Sequence, residues 1–469
     1  MKPGAKSASN PKSKIVVSKP ATISLARREA FVILREVERG EAHADDLLRG
    51  SRVTALSQQD RNLCTTLVLG TLRWQIRLDA IIQTLLSRPN AKLDSEIRIA
   101  LRMGAFQLLF LDRIPAHAAI GESVGLAKQA GHKFASGMVN AVLRKVADLP
   151  KPSTDVADDV NAAQLAEATA HPAWLVERWV AQYGFETARA ICQQGQQQPV
   201  PGLRLDTEAV VEIEAEGTRL KAGAILTAAR TVIEGDVTAT RAFRDGRVRI
   251  QEEGSQLIAE LAGKAAEILD CCAAPGGKTL VLAEGNPESR VVASEASAAR
   301  LQVMRDRLSA SEFAGKIEFR QADATQVSSG DAFDLILADV PCSGTGTLGR
   351  NPEIRHRLAP MDLARHHERQ CRILRTALDS TNAGGRVVYS TCSLEPEENE
   401  SVISAVLGEA SDWKQISWVD RIRDLLAEGK LTGAGAEYLL QSLGNDGALR
   451  LLPGKVSTDG FFVALLARR

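Results

Sequence analysis

The chain has 469 residues, of which 44% are hydrophobic and 25% charged. This composition is typical of a folded globular protein and excludes a mainly disordered, collagen-like or coiled-coil chain. Basic and acidic residues both number 58, so the total charge does not point to a polyanionic partner. No apolar run reaches the roughly 18 residues that span a bilayer, and the N-terminus has no apolar secretion signal. We therefore expect a cytoplasmic protein that does not enter a membrane.

The N-terminal part of the chain is predicted to hold a basic tail and an all-helical domain. Residues 1–23 contain five lysines and no acid, which is typical of a disordered tail, either merely solvated or in weak contact with RNA phosphates. Residues 24–148 carry apolar side chains at helical spacing. They hold 18 basic and 13 acidic residues, a surplus that favours RNA binding only slightly over a solvated face. The predicted helices are Leu25–Glu38, Asp60–Leu86, Glu96–Leu111 and Ala119–Val146.

A linker and a small mixed subdomain follow. Residues 149–169 are rich in alanine and contain prolines and aspartates, which predicts a linker. Residues 170–255 are predicted to form a helical connector over His171–Gln196 and then a small α/β subdomain. The predicted strands of this subdomain are Gly202–Leu205, Arg230–Ile233 and Arg247–Gln251.

From about residue 256 to 469, short β-branched runs alternate with helical segments, which predicts a parallel, doubly wound sheet. The predicted strands are Glu267–Asp270, Arg290–Ser294, Lys316–Arg320, Phe333–Ala338 and Gly385–Ser390. Helices are predicted at Ser297–Leu308 and Met361–Asp379, and a terminal antiparallel hairpin at Leu449–Leu452 and Gly460–Leu466. By fold analogy this pattern is typical of class I methyltransferases, whose fold is Rossmann-like.

The turn after the first of these strands has the sequence DCCAAPGGKT, from Asp270 to Thr279. This is the turn where such sheets bind nucleotide-like cofactors; small residues let the backbone approach a ligand, and Lys278 could meet a carboxylate. Cys272 stands where a phosphate-binding P-loop requires glycine, which excludes that motif, and GxGxxG is also absent. A tight turn without a ligand remains an alternative.

Acidic residues follow the second and third strands. Glu295 lies 19 residues after Gly276, a spacing that suits an acid binding ribose hydroxyls. Asp323 follows the third strand and could accept a hydrogen bond from an adenine amino group. Each acid alone is more often a solvated strand end, but together they predict an adenosine pocket.

Cysteines follow the fourth and fifth strands. Cys342 lies in DVPCSGTG, which begins at Asp339, and Cys392 lies in YSTCS. Parallel neighbouring strands end at the same edge, so the two thiols are predicted to converge on one site, although two buried small hydrophobes are the alternative. Four polar or basic residues follow the turn that contains Cys342, and they are predicted either to contact RNA phosphate or to lie in a solvated loop. They are Arg350, Asn351, Arg355 and Arg357.

The cysteines number seven, an odd count that argues against a disulfide framework. No two of them have the CxxC spacing of a structural zinc site, so we expect free thiols and no bound metal. Apart from Cys272, Cys342 and Cys392, the cysteines are interpreted as packing residues: Cys64, Cys192, Cys271 and Cys371.

Four long motifs in order resemble the RsmB-type (Sun/Fmu) RNA cytosine-5 methyltransferases over about residues 170–469. They are DCCAAPGGKT, DVPCSGTGTLGRNPEIRHR, YSTCSLEPEENE and DGFFVALLAR. The segment 24–148 resembles a NusB-like RNA-binding domain, notably in RIPAHAAIGESVGLAK and VNAVLRKV. The piece around 198–250 would be the RRM-like subdomain of such enzymes, and residues 256–469 the catalytic domain. The stretch 410–450 has no predicted role.

The resemblance implies S-adenosylmethionine (SAM) as cofactor. Glu295, where the family usually has aspartate, would bind the ribose, Asp323 the adenine, and Asp339 would lie between cofactor and base. The methionine part would be held by Cys272, Ala273, Ala274, Pro275, Gly276, Gly277 and Lys278.

The implied activity is methyl transfer to carbon 5 of a cytosine in 16S rRNA through a covalent cysteine–RNA intermediate. Cys392 would be the nucleophile, Cys342 would assist product release and Asp339 would activate the base. The same chemistry on tRNA or another rRNA site, or a non-catalytic RNA-binding assembly factor, are the alternatives. RNA is the expected partner, and we expect a monomer.

Overall fold

The computed structural model describes residues 23–40, 42–88, 92–152, 160–309, 311–326 and 332–468. The chain divides into two compact units, Met1–Thr154 and Asp155–Arg469. The predicted basic tail lies outside the described residues, apart from residue 23, so it stays a prediction. A search of the described helices finds none with the length and apolarity of a membrane span.

The first unit is helical, as predicted. Its described helices are Leu25–Glu38, Ala44–Leu48, Ser51–Thr54, Gln58–Leu85, Ser95–Phe110, Ala116–Gln129 and Ser136–Ala147, with a 3-10 turn at Lys133–Ala135. The prediction of one helix over Ala119–Val146 was wrong, because the chain turns at Gly131, whose φ of +100° favours glycine. Gly70 lets two long helices approach, since a Cβ there would lie 2.0 Å from the Phe106 ring.

The second unit begins with three helices, Ala162–Ala168, Ala173–Tyr183 and Phe185–Gln196. The first lies inside the segment 149–169, so the linker prediction was wrong for those residues; Asn161 and Gln164 form a reciprocal cap that starts the helix. The predicted helix His171–Gln196 is divided at Gly184, whose φ is +80°.

A small antiparallel sheet follows, in the order β2-β3-β1-β4. Its strands are β1 (Gly202–Arg204), β2 (Arg219–Ala222), β3 (Ala229–Glu234) and β4 (Arg249–Ile250), and the helix Thr207–Ala215 joins the first two. This confirms the small α/β subdomain. β2 was not predicted, because four largely exposed residues without apolar alternation carry no strand signal.

An ion pair cluster joins this small sheet to two helices, Glu253–Ala262 and Gly277–Gly285. Arg204 lies 2.6 Å from Glu260 and 3.0 Å from Glu284, and both Arg204 and Glu260 are buried. Removing one partner of a buried pair leaves an uncompensated charge, so Arg204→Ala is expected to destabilise the protein by about 3 kcal/mol. The effect stays at the low end of the usual range because Lys430 still pairs with Glu260 at 2.9 Å. Urea unfolding followed by circular dichroism measures it.

The matched control is Arg219→Ala. Arg219 pairs with Glu234 on the same small sheet, but both side chains are mostly exposed. Exposed pairs contribute about 1 kcal/mol or less, so this variant should unfold near the wild-type midpoint. Equal losses in the two variants would contradict the assignment of the Arg204 cluster as a buried joint.

The large sheet has eight strands, and its main path runs β10-β12-β9-β8-β5-β6-β7, with β11 paired to β12. The strands are β5 (Glu267–Asp270), β6 (Arg290–Glu295), β7 (Ile317–Gln321), β8 (Phe333–Asp339), β9 (Thr381–Thr391), β10 (Trp413–Ile416), β11 (Leu449–Leu451) and β12 (Phe461–Arg468). β5 to β9 pair in parallel, and β12 runs antiparallel to β9 and β11. This confirms the doubly wound sheet and the terminal hairpin.

The strand order reverses between β5 and β8, which places a crevice at the carboxyl ends of the parallel strands. The longer helices of this region are Glu253–Ala262, Gly277–Gly285, Ala298–Leu308, Pro360–Asp379, Glu400–Leu407, Val419–Ala427 and Gly433–Gln441. The stretch 410–450 supplies the edge strand β10 and two of these helices. Its buried Trp418 donates to the Val463 carbonyl at 3.0 Å, which attaches this stretch to β12.

Candidate active site

The turn after β5 leads directly into the helix Gly277–Gly285. Gly276 caps that helix with φ +97°, a conformation that favours glycine. Asp270, which ends β5, accepts a hydrogen bond from the Thr279 hydroxyl at 2.7 Å. Burial raises the pKa of Asp270 to about 7. The turn predicted to hold a cofactor therefore contains a buried carboxyl group that gains a proton easily.

Glu295 and Asp323 lie at the carboxyl ends of β6 and β7, on the same edge as this turn. Glu295 is buried and accepts from the Ser297 amide at 3.0 Å; Arg300 lies 3.1 Å from its other oxygen. Asp323 accepts from the amide and hydroxyl of Thr325, both at 2.9 Å, and these hydrogen bonds lower its pKa. Asp323 is thus held as a carboxylate, and both acids lie at the predicted edge.

A pocket opens beside Asp323. Its walls come from two groups of residues. The β5 turn, the end of β6 and the segment after β7 supply Cys271, Ser294, Ala322, Asp323, Ala324 and Gln326, and the start of β8 and the helix Pro360–Asp379 supply Phe333, Ile373, Thr376 and Ala377. Glu295 is not part of its described lining. Glu295 and Asp323 were predicted to form one adenosine pocket. Both lie at the same edge of the sheet, but only Asp323 faces this pocket.

Lys278 and Asp339 form an ion pair between the β5 turn and the end of β8. Nζ of Lys278 lies 2.7 Å from Oδ2 of Asp339, and the Ser390 hydroxyl donates to Oδ1 at 2.7 Å. The carboxylate that Lys278 meets is therefore one from this chain. Burial lowers the pKa of Lys278, but the charges of Asp339, Cys392 and Asp270 raise it by more than burial lowers it. The pKa of Lys278 therefore lies above its usual value.

The two predicted thiols converge. Sγ of Cys342 and Sγ of Cys392 lie 3.3 Å apart, because β8 and β9 are parallel neighbours with Asp339 opposite Ser390. The amide of Gly346 donates to the Cys392 carbonyl at 2.9 Å and joins the two loops. A hydrogen bond with Cys392 and burial raise the pKa of Cys342 well above its usual range.

Sequence reasoning missed one buried carboxylate beneath the thiols. Glu398 accepts hydrogen bonds from Ser343, Ser393 and Gln370. The only signal was the acidic run EPEENE after Cys392, where four glutamates look alike. Only the fold distinguishes them.

Both alternatives, a phosphate contact and a solvated loop position, were wrong for Arg355. This residue is buried and donates to the backbone carbonyls of Ala170 at 3.3 Å and Gly195 at 2.7 Å. Arg350 pairs with Asp459 at 2.7 Å. Cysteines interpreted as packing residues are indeed buried: Cys64, Cys192, Cys271 and Cys371. Within the described ranges no group of three metal-binding side chains clusters.

Family models match three parts of the chain. Residues 259–467 match the 16S rRNA methyltransferase RsmB/F family, and residues 24–148 match the NusB family. Residues 171–226 match the ferredoxin-like domain of RsmF/B-like methyltransferases, which corresponds to the subdomain predicted as RRM-like.

Relatives cover nearly the whole chain. A probable ribosomal RNA small subunit methyltransferase B of Bacillus subtilis is 34% identical over 94% of this chain and 98% of its own. The ribosomal RNA small subunit methyltransferase B of Pseudomonas syringae pv. tomato is 33% identical over 90% of this chain and 95% of its own. The crystal structure of PH0851 covers 96% of this chain and 100% of its own, with a TM-score of 0.75 at 22% identity, and so shares the fold. The chain belongs to the RsmB/F family of 16S rRNA methyltransferases.

Proposed function

We propose that the protein transfers a methyl group from SAM to carbon 5 of a cytosine in 16S rRNA, through a covalent bond between Cys392 and the RNA. The observation that carries this proposal is the pair of thiols 3.3 Å apart beside Asp339. The relatives named as small subunit rRNA methyltransferases support 16S rRNA as substrate, which would place the protein in the cytoplasm, where ribosomes assemble.

The residues at the ends of β5, β6 and β7 fit the groups of SAM. Oδ1 of Asp270 is buried and has no hydrogen-bond partner among the described atoms, so the turn retains an acceptor for an ammonium group. Glu295 would accept from ribose hydroxyls and Asp323 from the adenine amino group. The small residues of the turn, Ala273 to Gly277, would let the backbone approach the methionine part. When bound, SAM supplies an electrophilic methyl group.

Covalent catalysis overcomes the weak nucleophilicity of cytosine carbon 5. The Cys392 thiolate adds to carbon 6, which breaks the aromaticity of the ring and makes carbon 5 nucleophilic. Asp339 would hydrogen-bond the amino group or N3 and stabilise the activated ring. After methyl transfer the carbon 5 proton passes to water, and the electron pair of that C–H bond re-forms the double bond between carbons 5 and 6. The bond from sulfur to carbon 6 then breaks, and its electron pair returns to Cys392. Cys342 would assist this release.

The charges around the two thiols favour this assignment over the reverse one. The charge of Cys392 is among those that raise the pKa of Lys278, so a cationic side chain lies near this sulfur. A neighbouring cation is the environment in which a cysteine acts as a nucleophile. Cys342 is hydrogen-bonded to Cys392 and lies near the carboxylate of Glu398, which together hold it protonated. A nucleophile needs a nearby positive charge, as at Cys392. A proton donor needs surroundings that keep it protonated, as at Cys342.

Asp339→Asn keeps the shape of the side chain and removes its charge. We expect kcat to fall by about 10²–10³-fold, because one preorganised electrostatic contact to the activated base is lost. The KM for SAM is expected to change less than kcat, since the adenosine would be bound by Glu295 and Asp323 while Asp339, between cofactor and base, would act on the base. Steady-state transfer from labelled SAM measures both constants.

The control for this variant is Asp334→Asn on the same strand. Asp334 lies at the opposite end of β8, where it accepts from Asn382 at 2.8 Å. We expect this variant to keep the wild-type kcat. Similar losses in both variants would mean that Asp339 acts through strand stability, which removes its proposed role on the base.

The direct test is to incubate the protein with labelled SAM and unmodified 16S rRNA, tRNA and 23S rRNA separately, then map 5-methylcytosine. We expect a single mark in 16S rRNA. A mark only in tRNA or 23S rRNA would keep the chemistry and overturn the substrate. If SAM binds but no RNA is methylated, including RNA in assembled small-subunit particles, the protein is a non-catalytic RNA-binding factor.

A further inference from the structure

Glu398 is a fully buried carboxylate that contacts neither the base nor the cofactor in the proposed function. It ends the 3-10 turn Pro396–Glu398 after β9. Its Oε1 accepts from the Ser343 amide at 2.8 Å and from the Gln370 side chain at 3.0 Å. Its Oε2 accepts from the hydroxyls of Ser343 and Ser393. A buried carboxylate persists only where donors replace water, so four converging donors indicate a fixed role.

Two of these donor residues are the immediate neighbours of the thiols. Ser343 follows Cys342 in the loop after β8, and Ser393 follows Cys392 in the loop after β9. The two serine hydroxyls also lie 3.0 Å apart. One carboxylate therefore joins two loops from different strands, next to the points where the thiols leave the backbone.

The carboxylate is itself held in place by neighbouring elements. Gln370 donates both to Glu398 and to the backbone oxygen of Pro341, at 3.0 Å each. The Tyr389 hydroxyl donates to the backbone oxygen of Glu398 at 2.6 Å. His366 lies 4.0 Å from the carboxylate and pairs with it only when protonated. With side chain and backbone both bonded, Glu398 has little freedom to turn away from the serines.

We propose that Glu398 is a positioning residue that holds the Cys342 and Cys392 thiols at reacting distance, through the serine that follows each cysteine. The inference rests on the proposed function, in which both thiols act on one base. Glu398 touches neither base nor cofactor in this scheme.

The distance between the thiols can be measured without RNA, by oxidation with diamide. Two S–H bonds break and one S–S bond forms, while diamide takes up two electrons and two protons and becomes its hydrazine. We expect the Cys342–Cys392 disulfide to form about tenfold more slowly in Glu398→Ala, since the thiols lose their mutual orientation. Glu398→Gln should fall between this variant and the wild type, because its amide oxygen still accepts. Peptide mass spectrometry identifies the bond.

The matched control is Glu397→Gln. Glu397 is the preceding residue, with a partly exposed carboxylate that pairs with Arg178 at 2.6 Å. We expect its cross-linking rate to equal that of the wild type. SAM binding and thermal unfolding identify the variants that fold. Where Glu398→Ala does not fold, Ser343→Ala and Ser393→Ala remove the same links singly, and each is expected to slow cross-linking.

Unchanged cross-linking in folded Glu398→Gln and in both serine variants would overturn the inference. In the active enzyme, Glu398→Gln is expected to lower kcat and leave the KM for SAM unchanged. Cross-linking that depends on Glu398 in a protein that methylates no RNA would refute the proposed function and support this inference. If the protein methylates RNA but its cross-linking does not depend on Glu398, the proposed function is supported and this inference is refuted.

Discussion

Replacing Cys392 by alanine is expected to abolish methyl transfer, whereas replacing Cys342 by alanine is expected to leave RNA bonded to the protein. Without the Cys392 sulfur nothing adds to carbon 6, so we expect a loss on the order of 10⁴-fold or more, typical of a missing nucleophile. Without Cys342 the bond forms but is released slowly. Turnover then falls while a covalent complex accumulates.

Denaturing gels distinguish these results. RNA that contains 5-fluorocytosine traps the adduct, because fluorine on carbon 5 cannot leave as a proton does. Wild type and Cys342→Ala should both form the trapped band, and Cys392→Ala should form none. On ordinary RNA with SAM, only Cys342→Ala should show a persistent band.

Cys371→Ala is the control, since this buried cysteine lies on the helix Pro360–Asp379 rather than at a strand end. It should form the trapped adduct as the wild type does. An adduct in Cys392→Ala that is absent from Cys342→Ala would reverse the roles of the two thiols. The charges of Lys278 and Glu398 would then not determine which thiol attacks the base.

The meeting of the two thiols could be predicted because it depends on a rule of parallel sheets. Cys342 and Cys392 each follow a strand, and neighbouring strands of a doubly wound sheet end at one edge. The ion pair between Lys278 and Asp339 could not be predicted in the same way. The alternation of strands and helices in the sequence places both residues at that edge, but which side chains form ion pairs depends on the folded structure.

Buried polar residues were the least predictable part of the site. Glu398 and Arg355 are charged residues in polar stretches, which sequence reasoning treats as exposed. Their partners lie far away in sequence: Ser343 is 55 residues from Glu398, and Ala170 is 185 residues from Arg355. Two predicted helices were too long for a related reason. Gly131 and Gly184 interrupt them, although the apolar patterns continue on both sides of each glycine.

Gly346→Ala is expected to slow adduct formation strongly, although the glycine carries no chemical group. A Cβ at this position would lie 2.4 Å from the carbonyl oxygen of Gly460 and 2.8 Å from its Cα, which are backbone atoms. The turn cannot simply move aside, because the Gly346 amide donates to Cys392 at 2.9 Å and its carbonyl accepts from Gly460 at 2.8 Å. The strain therefore passes to the Cys392 loop.

A displacement of about 1 Å at a reacting group can reduce rates by about 10²-fold, and we expect a loss of that size in single-turnover adduct formation with 5-fluorocytosine RNA. Overpacking should also lower the free energy of unfolding by about 1–3 kcal/mol, measured with urea. Gly285→Ala is the control, since a Cβ there has no neighbour within 4 Å. If Gly346→Ala loses stability but forms the adduct at the wild-type rate, the contact between the Gly346 turn and Gly460 supports folding alone, and the placement of Cys392 does not depend on it.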